Sequence, residues 1–216
     1  MLRVTFADTG RAPQRILCLG AHSDDIEIGC GGSILRLAQE HPERHICWVV
    51  LSATGERIEE AKASAQSFLQ GVDNVQIIVK GFRDGHFPYD GAELKAYFEE
   101  LKAFEPDLIF THCRHDLHQD HRVTAELTWN TFRDHFILEY EIPKYDGDLQ
   151  SPNFFIYLPA SVRQQKVDLL MQHFATQANR HWFTPDTFNA IMRIRGVESR
   201  APELYAEGFY CRKLGM

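Results

Sequence analysis

The feature that most constrains this chain is an alternation of short apolar runs with stretches of helical periodicity. Residues 15–20, Arg-Ile-Leu-Cys-Leu-Gly, form an apolar run closed by glycine, and a second run follows at residues 46–51. Between them, residues 33–39 continue from a Gly-Cys-Gly-Gly turn and set Ile34, Leu35, Leu37 and Ala38 on an apolar stripe. The unit recurs. Residues 57–69 carry Ile58, Ala61, Ala65, Phe68 and Leu69 at helical spacing, and the β-branched run 75–79 follows. Leu94, Phe98, Leu101 and Phe104 then mark another helix, which Pro106 ends before a strand at 108–110. Apolar runs of this length are strands buried on both faces, so the pattern predicts an α/β fold. Its sheet is Rossmann-like and mostly parallel, with helices on both faces, in a single domain over residues 1–216. Beyond Phe132 the pattern loosens through Pro143, Gly147 and Pro152. A run at 154–158, a helix at 162–174 and a last edge strand at 207–212 follow, and residues 175–203 read as a surface cap over the sheet ends.

Composition narrows the function. With 44% hydrophobic residues in 216, the chain can bury one substantial core without staples. The net charge is −7 and no basic run occurs, which excludes a phosphate-backbone partner of the nucleic-acid kind. The five cysteines are odd in number, scattered and never in a C-x-x-C pair, as expected of reduced thiols in a cytoplasmic protein. The N-terminus has no basic region leading into a long apolar stretch, and no apolar run approaches the roughly 20 residues of a membrane span. A soluble protein without a membrane anchor is therefore expected.

Two clusters carry chemistry, and both fall just after a predicted strand, where ligands bind in an open parallel sheet. The first is Ala21-His22-Ser23-Asp24-Asp25-Ile26-Glu27. Its neighbouring glycines evoke a dinucleotide loop, but its carboxylates would repel a pyrophosphate. Asp24 and Asp25 also suit the N-cap and first turn of a helix. The second cluster runs from His112 to Arg122 and holds His112, His115, Asp116, His118, Asp120 and His121. Together the clusters offer imidazole and carboxylate without thiolate, a donor set that suits a catalytic zinc with an open position and equally a non-haem iron(II). Three functional classes follow: a metal-dependent hydrolase, a two-histidine, one-carboxylate iron(II) oxygenase, and a non-catalytic metal- or nucleotide-binding module. The second carboxylate, Asp24, favours hydrolysis.

Residues 21–32, Ala-His-Ser-Asp-Asp-Ile-Glu-Ile-Gly-Cys-Gly-Gly, resemble the A-H-P-D-D-x-E-x-G-x-G-G signature of the PIG-L/LmbE-type N-acetylglucosaminyl deacetylases. Residues 116–121, Asp-Leu-His-Gln-Asp-His, resemble that family's D-x-H-P-D-H motif. Weaker echoes are Thr54-Gly55-Glu56, Asp84-Gly85, Pro106-Asp107 and residues 205–209. Ser23 and Gln119 depart from the pattern, each standing where the family usually has proline; proline supplies rigidity rather than ligand atoms. The resemblance implies a hydrolase that removes an N-acetyl group from an amino sugar or its conjugate. It implies that His22, Asp25 and His121 hold one Zn2+, with Fe2+ as the alternative metal, and that Asp24 is the general base. It implies further that His118 stabilises the oxyanion or protonates the amine, that Asp120 tunes His118, and that Arg57 holds the sugar. Tyr205 and Glu207 are further site candidates, Trp129 and Trp182 could stack on a sugar, and related enzymes often form trimers or hexamers.

Overall fold

The computed structural model describes residues 13–215; residues 1–12, read above for a leader, and Met216 lie outside them. Seven strands, β1 (Arg15–His22), β2 (His45–Ser52), β3 (Asn74–Val79), β4 (Leu108–His112), β5 (Phe136–Tyr140), β6 (Phe154–Leu158) and β7 (Tyr205–Cys211), form one sheet. The helices are α1 (Asp25–Glu40), α2 (Glu56–Phe68), α3 (Gly91–Leu101), α4 (Gln119–Thr131), α5 (Ala160–His173) and α6 (Pro185–Ser199). The sheet order is β3-β2-β1-β4-β5-β7-β6, with β1 to β5 parallel and β7 antiparallel to both neighbours. The expected α/β class and mostly parallel sheet are what the chain forms.

Side-chain alternation along the strands creates the two layers. Ile16, Cys18, Ile46, Trp48 and Val50 point to the face covered by α1, α2, α5 and α6. Leu17, Leu19, Cys47, Val49 and Leu51 point to the face covered by α3, with α4 packed beside it. The chain runs outward from β1 to β3 with helices on one face, then returns to β4 with helices on the other. Strand order therefore reverses between β1 and β4, and the crevice at a parallel sheet's carboxyl edge opens at such a switch point. No helix among the described residues is long and apolar enough to cross a membrane.

Three expectations are corrected. The glycines of residues 29–32 lie inside α1 rather than in a turn before it. A Cβ at Gly29 would stand 2.2 Å from Tyr140 Cδ2, and one at Gly32 would stand 2.7 Å from Leu158 Cδ1, so close packing overrides glycine's poor helix propensity. The last strand is interior, because β6 pairs along its outer side. Its Glu207 carboxylate is buried and accepts from the Gly32 and Ser33 amides and from Lys166 Nζ at 2.6–2.8 Å. The region 175–203 is a packed element as well: α6 begins at a Thr184 cap that accepts from the Thr187 amide, and Phe188 and Met192 join the core. Strand β5, which the sequence did not announce, carries the buried Glu139 amid apolar neighbours.

Candidate metal centre

Strands β1 and β4 are adjacent and end in His22 and His112, so both polar clusters meet at the switch point. Asp25 opens α1 and His118 caps α4, which brings the starts of two helices to the same crevice. His22 Nδ1 lies 3.2 Å from His121 Nε2 and 3.3 Å from Asp25 Oδ2, and His121 Nε2 lies 3.5 Å from Asp25 Oδ1. Ligand atoms about 2.0–2.1 Å from a tetrahedral zinc stand about 3.3–3.4 Å apart, so the two ring nitrogens, 3.2 Å apart, are spaced to share one metal, and Asp25 turns one oxygen to each ring. All three side chains are buried. The surrounding residues offer overlapping alternatives: His22, His118 and His121; Asp25, His112 and His121; and His22, Asp84 and Asp120. The donor set is nitrogen and oxygen throughout, the chemistry of zinc or iron(II).

Orientation of the rings follows from their second nitrogens. His121 Nδ1 is 2.9 Å from Asp116 Oδ2, which leaves Nε2 with its lone pair toward Asp25 and His22. Burial pushes the His121 pKa down to about 4, with the nearby His112 ring acting in the same direction. The Asp120 amide donates to His118 Nδ1 at 3.3 Å, which leaves the His118 proton on Nε2. Burial also lowers the His118 pKa, so this ring is a neutral donor. Burial alone would lower His22 as well; the carboxylates of Asp120, Asp25 and Asp84 outweigh it and raise His22 well above its ordinary value.

The two adjacent aspartates part company. Burial works against ionisation of Asp25, but the rings of His121, His112 and His22 gathered around it outweigh that and hold its carboxyl well below the usual range. Asp24, one residue earlier, makes no side-chain cap bond to α1 and instead lies 3.2 Å from Arg57 Nη2. Burial and the Asp25 charge push its pKa up to about 6, and Arg57 opposes them. Asp25 is thus held anionic, while its neighbour is raised toward the range in which a carboxyl can take up a proton.

The Asp120 carboxylate does not sit on His118. It lies 3.3 Å from His22 Nε2 and accepts from the Gly85 and Phe87 amides at 2.6 and 3.2 Å, tying the loop after β3 to the centre. That loop delivers Asp84 Oδ1 to 3.0 Å from His22 Nε2. Gln119, one of the departures from the family pattern, also holds the loop, donating from Nε2 to Gly85 O at 3.3 Å. Ser23, the other, is buried with its hydroxyl unpartnered among the described residues.

Sequence reading thus located His22, Asp24, Asp25, Arg57, His118, Asp120 and His121, which the fold gathers together. It passed over His112 as a site residue. That ring stacks on His121 with centroids 3.9 Å apart, and its Nε2 is 3.1 Å from Asp25 Oδ2; its place at the end of β4, level with the His22 cluster, was the available signal. Tyr205 is not gathered with the group. It begins β7, two strands from β4, and its ring lies under the Arg163 guanidinium at 4.9 Å. Glu207 serves the core pair with Lys166. Trp129 is held by Glu139 and stacked under Arg114, and Trp182 packs on the core.

An α/β sheet with a histidine- and aspartate-lined crevice at its switch point defines the class. The PIG-L family model, GlcNAc-PI de-N-acetylase, matches residues 17–132, more than half the chain, and the chain belongs to that family. Among solved structures it is similar to N,N'-diacetylchitobiose deacetylase from Pyrococcus horikoshii, at 20% identity and TM-score 0.72 over 96% of this chain and 85% of that one. It is also similar to GalB, the 4-carboxy-2-hydroxymuconate hydratase of Pseudomonas putida, at 18% identity and TM-score 0.74 over 94% and 98%. The zinc-inhibited form of teicoplanin deacetylase matches at 14% identity and TM-score 0.66 over 91% and 95%. At these identities the likeness is one of fold, and a fold that holds a hydratase beside deacetylases does not choose the reaction by itself.

Proposed function

We propose that this protein is a metal-dependent hydrolase that removes an N-acetyl group from an amino sugar or amino-sugar conjugate. The observation that carries the reading is the division between neighbouring carboxylates: Asp25 faces the histidines, while Asp24 faces Arg57 and has its pKa raised to about 6 by burial. Hydrolysis by activated water needs a ligand and a base side by side, and an oxygenase has no use for the second.

His22, Asp25 and His121 would hold the metal, zinc by donor type with iron(II) as the substitute. Such a metal, when bound, supplies Lewis acidity that makes water a stronger acid and a carbonyl a better electrophile. Asp24 accepts the proton of the attacking water. Its raised pKa matches it to that task, because a base works best when its pKa lies near the operating pH. Arg57 steadies the Asp24 carboxylate and, at the rim of the crevice, is placed to hold a substrate hydroxyl. His118 presents its Nε2–H to the amide oxygen as charge develops there. Asp120 acts on this step through its backbone amide, which fixes the His118 tautomer, while its carboxylate steadies His22.

The test is acetate release from a panel of N-acetylated amino sugars and conjugates, using protein loaded with one equivalent of zinc or iron(II). Metal-dependent release from at least one member is expected. Fully loaded protein that releases no acetate from any of them would overturn the reading.

A further inference from the structure

The segment after β5 is turn-rich and belongs to no sequence motif of the site, yet it sends one lysine into the centre. Lys144 is 9% exposed at its side chain, and its Nζ reaches Asp116 Oδ2 at 3.0 Å and Asp148 Oδ2 at 2.5 Å. The Ile142 carbonyl accepts from Nζ at 3.4 Å, so the ammonium hydrogen-bonds to Asp148 and Ile142 while pairing by charge with Asp116. Asp116 is held from three sides: Oδ2 by Lys144 and His121 Nδ1, and Oδ1 by the His118 amide at 2.8 Å. Asp148 Oδ2 accepts in addition from the Leu117 amide at 2.7 Å, so the lysine and its second partner grip residues 116–118 twice.

We propose that Lys144 is a positioning residue for His121: by fixing the Asp116 carboxylate it keeps the His121 proton on Nδ1 and the Nε2 lone pair turned to the metal. The tautomer needs such fixing because His121 lies between two carboxylates. Asp116 is 2.9 Å from Nδ1, while Nε2 faces Asp25 at 3.5 Å and His22 Nδ1 at 3.2 Å, so once His22 is neutral and can accept, the single His121 proton can serve either side. A carboxylate free to rotate away from Nδ1 hands the proton to the Asp25 side, where it occupies the nitrogen a metal requires. Outer partners of this kind are worth on the order of 10–100-fold in metal affinity. A lysine that merely stapled two loops would leave the proton where it is.

The inference rests on the metal-centre reading above for its consequence, but the proton position can be measured without metal. In metal-free protein at one fixed pH, high enough that His22 is neutral, nitrogen-15 NMR of the histidine rings is expected to show His121 protonated at Nδ1 in wild type. In Lys144→Met that state is expected to give way to Nε2 protonation, and zinc affinity measured by chelator competition is expected to fall about 10–100-fold. Lys144→Gln, which keeps a shorter donor, serves if the methionine variant does not fold, with the same expected direction. Lys166→Met breaks a buried pair elsewhere and is the control: it should lower Tm while leaving the His121 proton and zinc affinity unchanged. Wild-type tautomer and zinc affinity in both Lys144 variants would overturn the proposal, as would an equal loss of affinity in Lys166→Met. Wild-type protein that bound no metal would sink the metal-centre reading, and the tautomer comparison would still decide the role of Lys144.

Discussion

Asp24 occupies the N-cap position of α1 yet leaves the helix amides alone and gives its Oδ1 to Arg57, 3.2 Å away. A cap contributes about 1 kcal/mol through its side-chain bond, and that bond is not made here. Asp24→Asn is therefore expected to keep the fold, the Tm and the metal. Its kcat should fall roughly 10²–10⁴-fold, the usual contribution of a general base. Metal content, Tm and kcat on one preparation decide the matter: full metal with near-normal turnover would mean that Asp24 takes no proton.

Arg57 tests the same pair from the other side. Its charge holds down a carboxyl that burial and Asp25 push up to about 6. Asp24 works as a base only when ionised, so wild-type kcat should decline as pH falls through about 6. Removing a positive neighbour raises the pKa further. In Arg57→Ala the acid limb should move to higher pH, and KM should rise if the guanidinium also holds substrate. A pH–rate profile superimposable on wild type would show that Arg57 influences neither.

His22 makes metal binding a competition with protons. Asp120, Asp25 and Asp84 raise its pKa well above the ordinary histidine value, so metal-free protein near pH 7 carries a proton there that a metal must displace. Affinity is expected to rise with pH, by about tenfold per unit while His22 is mostly protonated. About one proton should be released per metal bound from this ring. Calorimetry in buffers of different ionisation enthalpy counts that proton; affinity independent of pH from 5 to about 7 would exclude His22 as a ligand.

The strands and histidine clusters were legible because each is a local signal. Residues 15–20 and 46–51 announce themselves by composition, and His22, Asp25, His118 and His121 lie within short motifs. The unread parts are long-range. Lys144 and Asp148 come from the turn-rich loop after β5, and nothing local joins them to the site; Asp84, from the loop after β3, stood out only as a weak family echo, with no sign that it would face His22. Strand β7 was misplaced at the edge because nothing local shows that β6 pairs along its outer side; its Glu207 is answered by Lys166, forty-one residues earlier. The glycines of α1 misled in the opposite sense, and they supply the last prediction.

Gly29 lies in the interior of α1, where alanine would ordinarily stabilise a helix by about 1 kcal/mol. Here the new methyl would meet the Tyr140 ring, 2.2 Å from Cδ2 and 2.5 Å from Cγ. Those are atoms near the root of the side chain, so the ring cannot swing its far end aside. It is pinned as well: its hydroxyl donates to Leu19 O at 2.6 Å and its other neighbour is the His112 ring, with centroids 4.7 Å apart. Overpacking of this kind costs about 1–3 kcal/mol, which exceeds the gain in propensity. Gly29→Ala should therefore lower Tm, by about 2–4 °C for each net kcal/mol in a chain of this size. Displacement of Tyr140 presses on His112, whose Nε2 is 3.1 Å from Asp25 Oδ2, so zinc affinity should weaken along with stability. Adding Tyr140→Leu removes the obstructing ring, and the double variant should be less destabilised than the sum of the two single changes. A Gly29→Ala protein as stable as wild type, with unaltered zinc affinity, would show that α1 shifts freely and that the close approach to Tyr140 does not set the position of Asp25.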